Sequence, residues 1–599
     1  MTLAPQRIEI DESATDQFSP IVKLRLLQTT DLHMHILPYD YKTLRPTPQR
    51  GLANLVGEIG ALRQDGIPTL LFDTGDFLQG SPLADAAMQE PSTGIHPIAD
   101  AFNTLKYDAV VLGNHDFDYG VEPLSETIKQ IDCPVLSANV STNDEMTTYP
   151  HSTIISVGTG PHRPPIRVGV VGLTTPVISL TTDDGAPAVS TADPVSTART
   201  VVTQLKEQNA DIIVALCHFG IDPDDHIENV AADIAGIEGV DVVMAGHTHE
   251  TFPLGTTRGG PTIDARNGTI CGKPTVMSGA FGRYLGVIDL ALERRADHVA
   301  IVDQNTRLYR PTEQAEPKAF ATVRPLHDAT ITSLQQEIAR TTLPLSTAFS
   351  LIQPDLTQYL LSCARQLHMQ DILKDTRFAD FPFLTTAAPF STGSRSNPND
   401  FICIPPGPIK RSDVTAIYPF NNTAVAILRN GAQIKDWLEA SALLYRPIQK
   451  GRKNQVLIDP HVPPYFFDTV FGLTYRIDVS APPGDRISQI RRHGELVRDT
   501  DQFVLVSATN RLEQGHNIPP DDIIHVANQN SQDMLIASLK RQSPVTVPCP
   551  FVWDFAPLPD TTAVFRTCKE ADVSSTDRSL VDNGVDADGF RSFTLSFDG

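Results

Sequence analysis

The sequence predicts an α/β fold for the first half of the chain, where short apolar runs alternate with amphipathic patterns. The runs are rich in Val, Ile and Leu, and several are apolar on both faces, as strands in a sheet covered on both sides must be. The intervening segments have helical periodicity; at 51–64, for example, Leu55 and Ile59 lie on one helix face. The predicted strands are 24–29, 69–73, 108–112, 134–138, 166–173, 211–217, 241–245, 274–278 and 285–291. Further helices are predicted at 97–106, 121–131, 195–208 and 225–236.

The chain has 599 residues, which is too many for one hydrophobic core and predicts two to four domains. We expect a polar N-terminal extension at 1–21, a first domain at 22–312, a linker at 313–345 and a second domain at 346–599. Within the linker, 318–341 has apolar residues at helical spacing and is predicted to be one helix that connects the two domains.

The second domain also mixes helical and strand patterns. An amphipathic helix is predicted at 431–445, and residues 571–590 are polar and acidic, which is typical of a loop or a disordered tail. The predicted strands of this domain are 422–428, 473–479, 503–508 and the terminal 592–597.

The charge of the chain limits its partners. The net charge of −23 argues against nucleic-acid polymers and anionic membrane surfaces. A small anionic substrate remains possible, because a bound metal ion reverses the local field. No apolar run approaches the roughly 18 residues that a membrane-spanning helix needs.

The N-terminus has early acidic residues and no apolar segment of signal-peptide length, so we expect a cytoplasmic protein, with a periplasmic or secreted one as the alternative. The seven cysteines are scattered and form no C-x-x-C pair. They therefore predict isolated buried thiols rather than a disulfide framework or a thiolate metal site.

Five polar clusters each begin where a predicted strand ends. Since the carboxyl ends of strands gather the ligands in α/β folds, these clusters can converge on one site. Their candidate ligands are Asp31, His33, Asp76, Asn114, His218, His247 and His249.

This set offers four imidazoles, two carboxylates and one amide oxygen, which is more than one metal ion needs. Imidazoles favour first-row transition metals over Mg²⁺ or Ca²⁺, which prefer oxygen ligands. The inventory therefore predicts two divalent ions, of Zn, Mn, Co or Fe, that share a carboxylate and activate water for hydrolysis.

The blocks D-x-H, G-D, G-N-H-[DE], H and G-H-x-H occur here in the order in which they occur in the calcineurin-like dinuclear metallophosphoesterases, which the chain resembles. Asp73-Thr-Gly-Asp-Phe-Leu-Gln-Gly-Ser-Pro82 and Gly113-Asn-His-Asp-Phe-Asp-Tyr-Gly120 are similar to motifs of the 5′-nucleotidase branch. Tyr418-Pro-Phe-Asn-Asn-Thr423 and Asn430-Gly-Ala-Gln-Ile-Lys435 resemble the C-terminal substrate domain of that branch.

Three further segments resemble the bifunctional 2′,3′-cyclic-nucleotide 2′-phosphodiesterase/3′-nucleotidases. They are Thr30–Tyr41, Phe349–Asp355 and Ala387–Arg395, and the whole resemblance covers about residues 22–599. It implies an N-terminal four-layer αββα domain, a linker helix and a C-terminal α/β substrate domain.

The resemblance also implies a role for each candidate ligand. One metal is expected on Asp31, His33, Asp76 and His249, and the other on Asp76, Asn114, His218 and His247, with Asp76 as the bridge. Asn114 is also expected to stabilise charge on the phosphoryl oxygens of the substrate. His115 is implied as a catalytic residue that faces the phosphate, with Asp118 as its carboxylate partner and the adjacent Asp116 as the alternative.

In the second domain, Arg395 lies where the family has a substrate-binding arginine, and Phe420 lies where an aromatic ring stacks on the base. The second aromatic ring of the family is missing, since Arg511 or Leu512 stands at the expected place. Arg511 could stack through its guanidinium plane.

The resemblance implies an enzyme of nucleotide catabolism that opens 2′,3′-cyclic nucleotides to 3′-nucleotides and then releases phosphate to give nucleosides. A 5′-nucleotidase of the same family is the alternative, and a catalytically silent nucleotide-binding protein is another. The expected partner is a small nucleotide substrate. The sequence carries no signal for the oligomeric state.

Overall fold

The fold is described from a computed structural model. It describes residues 21–89, 94–142, 148–158, 164–178, 188–221, 229–254, 262–296, 298–311, 320–393, 397–420, 422–460, 462–512, 516 and 518–598. The extension expected at 1–21 lies outside these residues except for Ile21, which begins the first strand.

The first domain is built from two sheets and the helices that cover them. Its strands are β1 (Ile21–Thr29), β2 (Tyr39–Asp40), β3 (Arg45–Pro46), β4 (Thr69–Asp73), β5 (Ala109–Val111), β6 (Val135–Leu136), β7 (Val140–Thr142), β8 (Ser152–Val157), β9 (Ile166–Thr174), β10 (Val189–Thr191), β11 (Ile212–His218), β12 (Val242–Met244), β13 (Thr251–Phe252), β14 (Ile263–Asp264), β15 (Thr269–Ile270), β16 (Lys273–Ser278), β17 (Leu285–Arg294) and β18 (Val299–Tyr309). Its helices are α1 (Val56–Gln64), α2 (Pro82–Gln89), α3 (Pro97–Leu105), α4 (Val121–Ile128), α5 (Pro194–Glu207) and α6 (Ala231–Ala235), followed by α7 (Arg324–Leu334).

The two large sheets pack face to face. One has the strand order β18-β17-β1-β4-β5-β6, and the other runs β14-β15-β16-β12-β11-β9-β8. A cluster that includes Leu26, Phe72, Val170 and Val214 fills the space between them. The outer face of the first sheet packs on α1 to α4 and α7, and the outer face of the second packs on α5 and α6. These four layers confirm the αββα prediction, and all nine predicted strands are present.

In the described residues, the second domain contains three larger sheets and two two-stranded pairs. Its elements are β19 (Glu337–Thr341), β20 (Leu345–Ser346), α8 (Leu356–Leu373), β21 (Phe383–Ala387), β22 (Cys403–Ile404), β23 (Gly407–Lys410), α9 (Arg411–Ile417), β24 (Thr423–Asn430), α10 (Gly431–Ser441), β25 (Gln455–Val456), β26 (Thr469–Phe471), β27 (Thr474–Ile477), β28 (Ile487–Arg492), β29 (Glu495–Leu496), β30 (Gln502–Ala508), β31 (Ile523–Asn530), α11 (Ser531–Gln542), β32 (Trp553–Phe555), β33 (Thr562–Thr567), β34 (Leu580–Val585) and β35 (Arg591–Ser596). The orders of the larger sheets are β26-β21-β30-β24-β31, β25-β33-β35-β34 and β29-β28-β27-β32, and the two-stranded pairs are β19-β23 and β20-β22.

Two predictions are wrong here. The helix predicted at 318–341 ends at Leu334 in its described part, and Glu337–Thr341 is instead the strand β19, which pairs antiparallel with β23. Ala339 and Thr341 are buried while Arg340 between them is exposed, so strand alternation replaces the helical spacing. The region 571–590, predicted as a loop or tail, contains β34, which pairs with β35.

The terminal strand and the three other predicted strands of this domain are present. The helix predicted at 431–445 is α10 followed by a 3₁₀ turn at Ala442–Leu444. Among the described residues, we find no helix that combines the length and the apolar character needed to cross a bilayer.

Candidate metal centre

The predicted ligands come together between the two sheets of the first domain. β1 and β4 of the first sheet run parallel, and each is followed by a ligand segment, as is their neighbour β5. β11 and β12 of the second sheet are also parallel, and His218 is the last residue of β11. Strand ends from both sheets therefore deliver their polar side chains to one place, as the sequence predicts.

Six of the seven predicted ligands form two groups whose donor atoms lie within 4.8 Å of one another. The groups are Asp31, His33 and His249, and Asp76, His218 and His247. In the first, His249 Nε2 lies 3.0 Å from His33 Nε2 and 3.3 Å from Asp31 Oδ1. In the second, His218 Nε2 lies 3.1 Å from Asp76 Oδ2.

Asp76 connects the two groups. Its Oδ2 atom faces His218 in the second group and lies 3.8 Å from His33 Nε2 in the first. Its Oδ1 atom accepts a hydrogen bond from the backbone N–H of His115. The carboxylate is therefore placed where a group shared by two ions has to be.

The residues present fit a metal centre, because several donor atoms are buried without a hydrogen-bond partner. These atoms are Asp31 Oδ1, Asp76 Oδ2, Asn114 Oδ1 and His218 Nε2. Leaving such atoms unsatisfied costs about 1–3 kcal/mol each, more for charged groups, and a bound cation removes that cost. Asn114 thus offers a buried neutral oxygen that a cation could bind.

Hydrogen bonds from the surroundings set the ring orientation of two histidines. His33 Nδ1 contacts the carbonyl oxygen of Gln79, and His218 Nδ1 lies 2.6 Å from that of Thr74. A carbonyl oxygen only accepts, so each Nδ1 carries a proton, and Nε2 is the ring nitrogen that faces the ligand groups. This is the arrangement of a metal-ligating imidazole.

The backbone of the centre is strained. Asp31, His33, Asp76, His247 and His249 all have φ between 46° and 72°, which L residues rarely adopt. Each such residue costs about 1 kcal/mol or more, and strain of this kind concentrates at functional sites. The backbone at Gly113 also lies close to Asp76, since a side chain at Gly113 would collide with the Asp76 carboxylate.

The two carboxylates of the centre remain ionised. Burial acts to raise the pKa of Asp31, but the charges of His249 and His218 outweigh it and lower this pKa to about 2. The pKa of Asp76 is likewise held well below its usual value, with burial opposed by His218 and His115. Both carboxylates are therefore available as anionic ligands.

His115 lies beside the centre and not in either ligand group. Its Nδ1 atom is 2.8 Å from Asp118 Oδ2, and its ring centroid is 5.6 Å from that of His33. Burial lowers the pKa of His115, but Asp118 and Asp76 raise it to about 10. This geometry places an imidazole, oriented by a carboxylate, next to the candidate metal ligands.

Asp116, the alternative partner of His115, has a different environment. It is fully buried, and its carboxylate accepts hydrogen bonds of 2.7–3.0 Å from four backbone N–H groups, those of Asp76, Phe77, Leu78 and Gly113. It therefore fixes the loop that presents Asp76. This positioning role was not predicted from the sequence, where its one signal is an acidic residue inside an otherwise buried motif.

The predicted substrate-binding residues of the second domain lie in different environments. Arg395 lies outside the described residues. Phe420 is half-buried and packs edge-on against Phe390 and Tyr418, with ring centroids 5.3 and 6.0 Å away. It forms an aromatic cluster with these two rings.

Arg511 does not offer its guanidinium face to a base, which corrects that expectation. Only 3% of the residue is exposed, and its Nε and Nη2 atoms donate to the two carboxylate oxygens of Asp468 at 2.8 and 3.0 Å. The planar guanidinium group of Arg511 therefore binds the Asp468 carboxylate inside the core and is not free to stack on a base. Leu512, the other candidate, packs against the same core.

A contact between the domains was not apparent from the sequence. Lys42, just after the first ligand segment, places Nζ 3.0 Å from Asp400 Oδ1 and 3.1 Å from Ser391 Oγ. Ser391 follows Phe390 of the aromatic cluster. Nearby, Tyr41 is hydrogen-bonded to His327 of α7 at 2.8 Å. The ligand loop is thus connected both to the second domain and to the connecting helix.

Residues 24–251 match the calcineurin-like phosphoesterase family, and residues 369–519 match the 5′-nucleotidase C-terminal domain. The chain is 32% identical over 491 residues to the 2′,3′-cyclic-nucleotide 2′-phosphodiesterase/3′-nucleotidase of Yersinia enterocolitica, covering 77% of this chain and 74% of that relative. The chain belongs to the 5′-nucleotidase family of calcineurin-like phosphoesterases. It is therefore a metallophosphoesterase, a hydrolase of phosphoric esters.

This member of the 5′-nucleotidase family is also similar to a second relative and to a solved structure. It is 29% identical over 593 residues to the trifunctional nucleotide phosphoesterase protein YfkN of Bacillus subtilis, covering 94% of this chain but only 40% of that longer relative. The crystal structure of a 5′-nucleotidase precursor from Thermus thermophilus superposes with a TM-score of 0.60 at 21% identity, covering 89% of this chain and 99% of that one. The superposition supports the two-domain fold.

Proposed function

We propose that the protein hydrolyses 2′,3′-cyclic nucleotides to 3′-nucleotides and then hydrolyses 3′-nucleotides to nucleosides and phosphate. The observation that carries this proposal is the pair of ligand groups joined by Asp76, with His115 beside them. The choice of substrate is supported by the Yersinia enterocolitica relative, whose name gives both activities.

Two divalent transition-metal ions fit the centre, one on Asp31, His33, Asp76 and His249 and the other on Asp76, Asn114, His218 and His247. When bound, such ions supply hydroxide near neutral pH and neutralise charge on the phosphoryl oxygens. The inventory of imidazoles and carboxylates admits Zn, Mn, Co or Fe.

The residues of the chain carry the remaining steps. Asn114 lies in the segment that follows β5, and its amide is proposed to stabilise charge on a phosphoryl oxygen. His115, oriented by Asp118, donates a proton to the oxygen that leaves. With a cyclic nucleotide this is the ribose 2′-oxygen, so the phosphate stays on the 3′-oxygen. In the second step the 3′-oxygen leaves and the nucleoside is released.

Recognition of the nucleoside is assigned to the second domain. Phe420 presents a half-buried aromatic ring on which a base can stack, and the neighbouring Ser391 contacts Lys42 of the first domain. Arg395 is proposed as the residue that binds the substrate from this domain. Placing the chemistry in one domain and the base in the other requires the two domains to close on the substrate.

A substrate panel tests the proposal. Purified protein is treated with chelator, reloaded separately with Mn²⁺, Co²⁺ and Zn²⁺, and assayed for kcat/KM on 2′,3′-cyclic AMP, 3′-AMP and 5′-AMP. We expect turnover of the first two to exceed that of 5′-AMP by at least tenfold. A clear preference for 5′-AMP would identify a 5′-nucleotidase instead, and no turnover with any metal would identify a silent binding protein.

A further inference from the structure

Two cysteines that are far apart in the sequence meet in the second domain. Cys403 lies in the short strand β22, and Cys568 directly follows β33. Their Sγ atoms are 3.8 Å apart although 165 residues separate them in the chain. The scattered cysteines predicted isolated thiols, and for this pair the structure shows the opposite.

The two thiols have unequal environments. Cys403 is exposed, whereas only 2% of Cys568 is accessible to solvent. A hydrogen bond from the Cys568 thiol lowers the pKa of Cys403 to about 7, and the same bond together with burial raises the pKa of Cys568. An exposed thiol with a lowered pKa reacts with oxidants, while a buried thiol next to it is protected from them.

We propose that Cys403 and Cys568 form a reversible intramolecular disulfide, with Cys403 as the thiol that reacts first. The sulfurs have to approach by less than about 2 Å to reach bonding distance, a movement within the range of side-chain rotation. No other residue has to be displaced from between them, since the two sulfurs are already in contact.

A low-molecular-weight disulfide such as glutathione disulfide is the oxidant. The Cys403 thiolate attacks one sulfur of glutathione disulfide, which forms a mixed disulfide and releases one glutathione thiolate. Cys568 then loses its proton and attacks the Cys403 sulfur, which releases the second glutathione. The protein loses two electrons and two protons, and the oxidant gains them as two glutathione thiols.

The bond would link β22 covalently to the residue that follows β33. β22 pairs with β20, and the residues just before it carry Asp400, which binds Lys42 of the first domain. Closing a loop of 165 residues restricts the unfolded chain strongly. Oxidation should therefore raise the thermal midpoint of the second domain by about 5 °C or more.

The full-length protein is equilibrated in glutathione buffers from fully reducing to strongly oxidising, quenched with N-ethylmaleimide, and mapped by mass spectrometry without reduction. We expect a linked peptide containing Cys403 and Cys568, and a fall from the seven free thiols of the sequence to five. The thermal midpoint is measured on the same samples. Wild-type protein that keeps all seven thiols, or that links other cysteines, would overturn the proposal.

Three variants separate the roles of the two thiols. Cys568→Ser should retain one glutathione on Cys403, whereas Cys403→Ser should lose no thiol, because Cys568 is buried. Cys549→Ser is the matched control and should still lose two thiols on oxidation. Equal modification of Cys568 in the Cys403→Ser protein would contradict the order of reaction. Melting curves under reducing conditions show that each variant is folded.

Discussion

Replacing His115 with alanine removes the imidazole beside the metal centre and leaves the ligands in place. The donor atoms of the two ligand groups do not include His115, and the contact that it makes to Asp76 Oδ1 comes from its backbone N–H. His115→Ala should therefore keep its metal content. Turnover of 2′,3′-cyclic AMP should fall by about 10²–10⁴, which corresponds to about 3–5 kcal/mol of lost transition-state stabilisation.

The assay compares kcat/KM with the metal content of the same sample, measured by inductively coupled plasma mass spectrometry. A substrate that releases p-nitrophenolate supplies a second readout, because this leaving group departs without a proton. If His115 protonates the leaving oxygen, the His115→Ala defect should be at least tenfold smaller on p-nitrophenyl phosphate than on 3′-AMP.

The exposed His151→Ala is the matched control and should match wild type in metal content and rate. Loss of metal from His115→Ala would show that His115 is a ligand. An equal defect on both kinds of leaving group would refute proton donation and leave His115 a role in binding the phosphate.

Asp118→Asn should reduce kcat less than His115→Ala does, with metal content unchanged, because the imidazole stays but loses its partner at 2.8 Å; a wild-type rate would contradict this. Asp116→Ala should lower the free energy of unfolding by about 3 kcal/mol or more in urea titrations, since four buried N–H groups lose their acceptor. Arg511→Met should lower the free energy of unfolding by about 3–5 kcal/mol in the same titration, because Asp468 is left as an unpaired buried charge. The ratio of kcat/KM between adenine and uracil nucleotides should stay constant, because Arg511 does not contact the base. Lys42→Ala should change the free energy of unfolding by less than about 1 kcal/mol, as its ion pair is partly exposed.

The clustering of the candidate metal ligands was predictable because their signal is local and repeated. Each follows a run of Val, Ile or Leu that could only be a buried strand, and a polar residue at such a position needs a partner. Parallel strands then bring their carboxyl ends to the same edge, so order along the chain implied proximity in space. In the structure, five of these candidate ligands also have a left-handed backbone conformation, which their residue types do not predict.

The linker shows where a local pattern misleads. Residues 337–341 have a spacing that also fits a helix, and their pairing with β23 decides in favour of a strand. Hydrogen bonds to a segment about 70 residues away outweigh a local preference worth a few tenths of a kcal/mol per residue.

The sequence by itself determined the α/β class, the family resemblance and the set of candidate ligands, because these depend on residue types at short, ordered spacings. Only the tertiary structure decided which carboxylate contacts His115, what Asp116 and Arg511 do, and that Cys403 meets Cys568. In each case several side chains of the same type could have made the contact, and residue type does not distinguish between them. The contact depends on distances between segments up to 165 residues apart, which chain packing alone sets.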